Sequence, residues 1–407
     1  MNDLAPDGGD ARHFRFAYEP PVIRFGADAT DGLAAELEAL DRERALVVCG
    51  RSVGASAAVM DPVRRGLGGS LAGVFAETTP QKRLATAVRG AREYSAADAD
   101  AVVAVGGGSS LDVARAVSVV LAKDADPEEI GREFAATGTI TPDSDGLPPL
   151  VVVPTTLAGA DLSGVGGLSA VPAGGLVDEP VRGGLADPRL LPRAAVYDPA
   201  VAATTPRETL AASAMNGFDK GIETLYASTA TPVTDATASR GLRLLVESLP
   251  ALGDDPVAAE DLAPVLRGIV LVQYGISRPA ESTLSIVHAF GHGLTSGYDV
   301  QQGAAHAVVA PHVLEYLFEE VDGRRETLAD AMGVGDAADP AAAVVDRVRE
   351  IRDALGLPAE LRAVAGPAPA EFHDVAETIL ADGLMAYAPP GLDPSVGDVR
   401  EVLEAAY

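Results

Sequence analysis

The stretch from Asp100 to Arg115, DAVVAVGGGSSLDVAR, constrains this chain more than any other. Its apolar run, Ala101 to Val105, has the length and valine content of a buried strand. Gly106, Gly107 and Gly108 break that run, and from Ser109 to Val120 the apolar residues recur at helical spacing. A strand that ends in glycines and opens a helix presents bare backbone N–H groups at a helix N-terminus. The missing Cβ atoms and the partial positive charge there form a cradle for phosphate. Glycine-rich strand-to-helix turns also serve purely structural ends, so the turn alone leaves both readings open.

The surrounding sequence repeats the alternation. Pro21 to Phe25 reads as a short strand, Leu33 to Leu40 as an amphipathic helix, and Ala45 to Cys49 as a buried strand ending at Gly50-Arg51. Gly73–Phe75 and the 82–95 region continue the pattern, and Leu150 to Val153 runs into Pro154-Thr155-Thr156. Strands alternating with helices imply a parallel, Rossmann-like sheet in an α/β domain. Ligands of such sheets sit at the carboxyl ends of the strands, where Gly50, the glycine turn, Thr155 and Thr156 all fall. Asp161 to Pro188 is rich in Gly, Ala and Pro and reads as a long loop or a hairpin. From Arg207 onward the segments are long and helical. The expected division is an α/β domain over 1–195 and an all-helical domain over 196–407.

Charge restricts the partners. The 59 acidic residues outnumber the 31 basic ones, for a net charge of −28, and lysine occurs only at 82, 123 and 220. Such a surface repels nucleic acid and anionic membranes, which leaves a small molecule as the expected partner. The composition resembles that of proteins from salt-in halophiles, where about 1 M salt shrinks the Debye length to roughly 3 Å. Cys49 is the only cysteine, so no intrachain disulfide forms. The N-terminal MNDLAPDGGDARHF lacks the apolar core of a secretory signal, and no apolar stretch approaches the roughly 18 residues of a membrane span. A cytoplasmic protein is expected.

A second constellation lies in the helical half. Asn216 and Lys220 are four apart, as are His288 and His292, so each pair faces one way from its helix. Gln302, His306 and His312 follow, and four of the six histidines lie between 288 and 312. His-x-x-x-His is half a zinc site, and it is also compatible with hydrogen-bonded histidines at a helix start.

Taken together, Gly106-Gly107-Gly108-Ser109 with Asp112, Pro154-Thr155-Thr156, Asp198-Pro199, Met215-Asn216 through Glu223, and His288-x-x-x-His292 through Pro311-His312 resemble the iron-containing (group III) alcohol dehydrogenase superfamily. The resemblance runs from about residue 18 to about 320. It implies a dinucleotide-binding α/β domain, an all-α domain of dehydroquinate synthase-like architecture, and a cleft where a divalent metal polarises the substrate oxygen. It also places Asn216, Lys220, His288 and Gln302 at the four metal-ligand positions. Two amides and an ammonium therefore stand where three ligands are replaced, and family-type binding of iron or zinc is disfavoured; no metal residue is assigned. Within the superfamily the sequence is most similar to the maleylacetate reductase branch, through Met215-Asn216, Thr155-Thr156-Leu157-Ala158-Gly159, Thr224-Leu225-Tyr226-Ala227 and His306-Ala307-Val308-Val309. That branch is regarded as metal-free, yet it usually keeps histidines where Lys220 and Gln302 stand.

The resemblance implies an oxidoreductase that uses NADP(H) or NAD(H). Hydride transfer to a carbonyl leaves negative charge on oxygen, which needs stabilisation and a proton. Lys220 is expected to supply fixed positive charge, Asn216 and Gln302 neutral donors, His292 the proton relay and His288 its orientation. The same lysine has a salt bridge to Asp219 or Glu223 open to it. Gly106 to Ser109, with Asp112, are expected at the pyrophosphate, and Thr155 and Thr156 near the ribose and nicotinamide. NAD-selective relatives end the second strand with an acid; here Gly50 and Arg51 stand there, which admits a 2′-phosphate and favours NADP(H). Three other readings stay open: a metal-dependent dehydrogenase through His288, His292 or His306, a dehydroquinate synthase-like lyase or cyclase, and a silent nucleotide-binding protein. Homodimers are common in the family, though no residue here identifies an interface.

Overall fold

The computed structural model describes residues 14–254, 256–278 and 281–407. The N-terminal stretch read above as lacking a secretory signal lies outside these residues, apart from its last, Phe14. The chain divides into two compact units. One comprises Pro20–Pro206 and Ala258–Leu266; the other comprises the residues up to Glu19, Arg207–Val257 and Arg267–Tyr407. The divide between the two main segments thus falls at Pro206/Arg207, eleven residues beyond the expected 195/196.

The first unit is built on a six-stranded parallel sheet. Its strands are β1 (Val22–Phe25), β2 (Ala45–Gly50), β3 (Leu71–Thr78), β4 (Ala101–Gly106), β5 (Leu150–Pro154) and, after the hairpin strands β6 (Val165–Ala170) and β7 (Val181–Ala186), β8 (Ala194–Tyr197). Their spatial order is β1-β8-β5-β4-β2-β3. The central β4 and β5 are buried throughout and β2 nearly so, which is why their sequences are unbroken Val, Ala and Leu rather than alternating. Helices α1 (Leu33–Glu38), α2 (Arg51–Ala55), α3 (Ala57–Leu67), α4 (Leu84–Ala96), α5 (Gly108–Leu121) and α6 (Pro127–Thr137) connect the strands, and α7 (Pro199–Ala202) follows β8. Because all six strands run parallel, Gly50, Thr78, Gly106 and Pro154 reach one edge together, with Gly106 paired to Pro154 and Gly50 to Thr78. Lys123, just past α5, is partly buried: its ammonium donates to the Thr141 carbonyl at 2.8 Å and meets Glu133 at 2.7 Å.

The segment after β5 resolves as the hairpin alternative. β6 and β7 pair antiparallel from Val165↔Ala186 to Ala170↔Val181. Its glycines hide the strand signal but are needed for packing: a Cβ on Gly166 would come within 2.9 Å of Asp112 Oδ1.

The second unit is helical, with α8 (Arg207–Tyr226), α9 (Pro232–Ser248), the later part of α10 (Ala259–Gln273), α11 (Ile286–Ser296), α12 (Gln302–Glu320), α13 (Arg325–Met332), α14 (Pro340–Ala354), α15 (Phe372–Leu380) and α16 (Val396–Ala405). Sixteen of the twenty residues of α8 are buried, so its polar groups lie within the unit's interior. Among the described residues no helix is long and apolar enough to cross a membrane.

Candidate active site

The glycine turn has the shape its sequence implies. Gly106 adopts φ +136°, a conformation open to glycine, and a Cβ there would come within 2.8 Å of Ser110 Oγ. A Cβ on Gly107 would approach Thr156 Cγ2 to 2.8 Å, so the turn and the loop after β5 touch without room for a side chain. The Thr155 N–H donates to the Gly106 carbonyl at 3.1 Å, and Ser110 Oγ shares a 2.8 Å hydrogen bond with Thr78 Oγ1. Gly107 caps α5 with no side-chain hydrogen bond. Gly108 and Ser109 form the first turn of that helix, whose partial positive charge suits a phosphate. Gly50 ends β2 at an ordinary φ of −77°, and a Cβ there would stand 3.5 Å from Thr78, so a side chain would fit. Arg51 opens α2 and is exposed.

Asp112 is the residue of this set that the structure assigns elsewhere. Its buried carboxylate takes Arg115 Nη1 at 3.0 Å on Oδ1, and Lys82 Nζ at 2.6 Å and the Gly167 N–H at 3.1 Å on Oδ2. Three donors leave it an internal clamp rather than a cofactor ligand. Arg115 is fully buried and also donates to the carbonyls of Ala160 and Ser163, at 2.6 Å each. Burial pulls the guanidinium below its ordinary value, while Asp112 and Asp161 push the other way. Asp161 in turn accepts a hydrogen bond from the Tyr197 hydroxyl. Lys82, Asp112, Arg115, Asp161 and Tyr197 thus fix the loop that carries Thr155 and Thr156. Sequence reasoning missed this network because its members are scattered from 82 to 197, with only Asp112 and Arg115 inside the glycine-turn stretch.

In the helical unit, α8, α11 and α12 bring the second constellation together. Glu223 Oε1 accepts the His288 N–H at 2.9 Å, and its carboxyl also takes the N–H groups of Ser285 and Val287. A side chain of α8 thereby caps α11, whose own N-cap residue, Ser285, makes no side-chain cap. Glu223 Oε2 lies 2.6 Å from His288 Nδ1, and Asn216 Oδ1 lies 3.0 Å from Nε2. Burial raises Glu223 to about 7, partly offset by the backbone donors, and lowers His288 well below its usual value. Glu223 and Asn216 thus engage both ring nitrogens of His288. The Lys220 charge further lowers both His288 and His306.

A second acid–imidazole pair lies beneath. Asp219 Oδ2 is 3.1 Å from His306 Nδ1, and the His306 ring stands edge-on to His288 with centroids 4.5 Å apart. Both residues are fully buried, without a well-aligned hydrogen bond at either carboxylate oxygen or either ring nitrogen. Desolvation raises Asp219 well above the carboxylate range and lowers His306 to about 3. His292, one turn along from His288, is half exposed, and its Nδ1 lies 2.8 Å from Asp382 Oδ2. Gln302 opens α12, where a Cβ on Gly303 would overlap the Ala212 carbonyl of α8; among the described residues Gln302 makes no hydrogen bond to the other four. Of the carboxylates offered as partners for Lys220, Glu223 lies against His288 and Asp219 against His306. Asp219 had a visible signal, an acid one turn before Glu223 in an apolar run. Asp382, 90 positions from His292, had none.

Comparison with known proteins follows the same division. Residues 20–199 match the iron-containing alcohol dehydrogenase family, and residues 210–407 match the C-terminal part of the Fe-containing alcohol dehydrogenase family. Maleylacetate reductase 2 of Cupriavidus pinatubonensis is 29% identical over 407 residues, covering 98% of each chain. Maleylacetate reductase of Sphingobium indicum is 29% identical over 326 residues, 80% of this chain and 81% of that one. The solved structure of a putative alcohol dehydrogenase from Ralstonia eutropha superposes with a TM-score of 0.79 at 28% identity, covering 97% of this chain and 98% of that one.

Proposed function

Because the chain belongs to the iron-containing alcohol dehydrogenase family, we propose that it reduces a small carboxylated carbonyl compound with a nicotinamide cofactor and without a metal ion. At the coarser level it is an NAD(P)H-dependent oxidoreductase acting on CH–OH and C=O groups. Gly106, Gly107, Gly108 and Ser109 would hold the cofactor's pyrophosphate, with Thr155 and Thr156 toward its ribose and nicotinamide. A turn that a Cβ on Gly106 or Gly107 would crowd, and a helix start capped by glycine alone, suit that group. When bound, the cofactor supplies the hydride. The space at Gly50 and the guanidinium of Arg51 favour a 2′-phosphate, hence NADPH.

The donor set does not suit iron or zinc. Asn216 and Gln302 put amides, and Lys220 an ammonium that would repel a cation, at three of the four positions where the family resemblance places metal ligands. Among the described residues no three His, Cys, Asp or Glu side chains group so as to hold a metal ion. That donor set is the observation that carries the metal-free reading. No step is therefore routed through a metal. Lys220 would instead stabilise the negative charge that develops on the substrate oxygen or draw in its carboxylate, and Asn216 and Gln302 would donate neutral hydrogen bonds. The maleylacetate reductases among the relatives support a carboxylated substrate.

The test is NADPH and NADH oxidation in about 1 M KCl with oxo-acids and uncharged aldehydes, with and without chelator. Oxo-acids should turn over, NADPH should be preferred, and chelator should change nothing. Lys220→Met should lower kcat/KM for oxo-acids on the order of 100-fold and for uncharged aldehydes far less. Turnover abolished by chelator and restored by iron or zinc would overturn the metal-free reading.

A further inference from the structure

His292 and Asp382 form a couple that no motif announces. Asp382 closes the segment after α15; its Oδ1 accepts the Leu384 N–H at 2.8 Å, and its Oδ2 faces His292 Nδ1 at 2.8 Å. Burial alone would raise the Asp382 carboxyl, but the hydrogen bonds from His292 and Leu384 hold it below its ordinary value. It is therefore an anionic acceptor, and the imidazole proton it takes is the one on Nδ1. The opposite ring nitrogen, Nε2, is left as the atom that exchanges protons. With 47% of its side chain exposed, His292 is in contact with water, whereas His288 and His306 are buried. Of these three histidines, only His292 combines an anionic partner with access to solvent.

We propose that Asp382 is the positioning residue of a His292–Asp382 dyad, fixing the imidazole so that Nε2 gives up the proton that accompanies hydride transfer. This rests on the reductase reading above. In the step, the hydride that a bound nicotinamide would supply, by breaking its own C–H bond and becoming oxidised, forms the substrate's new C–H bond as the carbonyl is reduced and the C=O π pair moves onto oxygen. That oxygen takes the Nε2 proton of imidazolium, leaving neutral Nδ1–H imidazole, and water reloads Nε2. Asp382 stabilises the imidazolium before transfer and selects the Nδ1–H tautomer after it.

Asp382→Ser separates this role from the local turn, because serine still accepts from Leu384 N–H but is too short to reach His292. The expected result is a 10- to 100-fold lower kcat, on the order of the smaller share of general acid–base catalysis, with KM for the carbonyl substrate within about twofold. His292→Ala should lose at least as much, and the double variant no more than His292→Ala alone. Histidine ¹⁵N spectra at fixed pH, with the His292 signal identified by its loss in His292→Ala, should show the Nδ1–H tautomer in the wild type and its collapse toward Nε2–H in Asp382→Ser. Full activity in Asp382→Ser, additive losses in the double variant, or an unmoved tautomer would overturn the dyad. Wild-type protein that oxidises neither cofactor with any carbonyl would overturn the reductase reading instead, and this inference with it. A chain that turns over while ignoring Asp382→Ser sinks the dyad alone.

Discussion

Gly107 and Gly50 both sit at the carboxyl end of a strand, yet the space around them differs. A Cβ on Gly107 would press on Thr156 at 2.8 Å, whereas one on Gly50 would rest at 3.5 Å from Thr78. Gly107→Ala should therefore weaken cofactor binding about tenfold or more, or about 1.4 kcal/mol, while Gly50→Ala should leave it within twofold; titration by NADPH fluorescence reads both. Arg115 makes a harsher case. Its guanidinium is wholly buried, and Arg115→Met would leave the Asp112 carboxylate and two carbonyls short of a donor. A loss of about 3–5 kcal/mol in urea unfolding is expected. At this scale the sequence showed which residues matter better than what they do. Asp112 stands inside the glycine motif, but Lys82 and Gly167, which fix its role, lie 30 positions before it and 55 after. The scarcity of lysine was equally visible, but Lys82 and Lys123 turn out to sit in tight ion pairs of their own, so scarcity alone does not single out Lys220.

The start of α11 depends on a side chain from another helix. The His-x-x-x-His spacing foretold a shared face; that Glu223 caps the helix became visible only once α8 was in place. Glu223 titrates near 7 in the folded chain against 4.5 for an ordinary glutamate. Between those values the native state holds a proton that the unfolded chain releases. Raising pH through the window therefore costs stability, on the order of 3 kcal/mol, and the loss levels off above about 7. His306, lowered to about 3, acts in the opposite sense, since the unfolded chain takes up a proton below about pH 6.5 and acidification destabilises. Glu223→Gln mimics the neutral acid and isolates the first effect: its melting temperature relative to wild type should rise steadily from pH 4.5 to 7. A constant difference would contradict this. The β6–β7 hairpin shows why the remaining elements were harder to read. Its paired glycines carry no apolar alternation, and their reason, a close approach to Asp112 on α5, belongs to the folded state.

Across the molecule, the parallel sheet was legible because buried strands must be continuously apolar, and the helical half because its segments run long. The divide between them was less so, since the short α7 and its capping by Asp198 extend the α/β unit past the last strand. A net charge of −28 governs the rest. Many of the ion pairs among the described residues involve exposed arginines, each worth about 0–1 kcal/mol, so salt should relieve more repulsion than it removes attraction. Raising KCl from about 0.1 M to about 1 M should raise the melting temperature measured by circular dichroism; a fall would mean the pairs prevail. The three lysines have one more consequence. Lys123 and Lys220 are nearly inaccessible, and Lys82, one-third exposed, is gripped by Asp112 in a left-handed turn. A lysine-specific protease would find almost nothing to cleave on the intact fold, so each cut would record an opening: at Lys82 or Lys123 in the nucleotide half, at Lys220 in the core of the helical half.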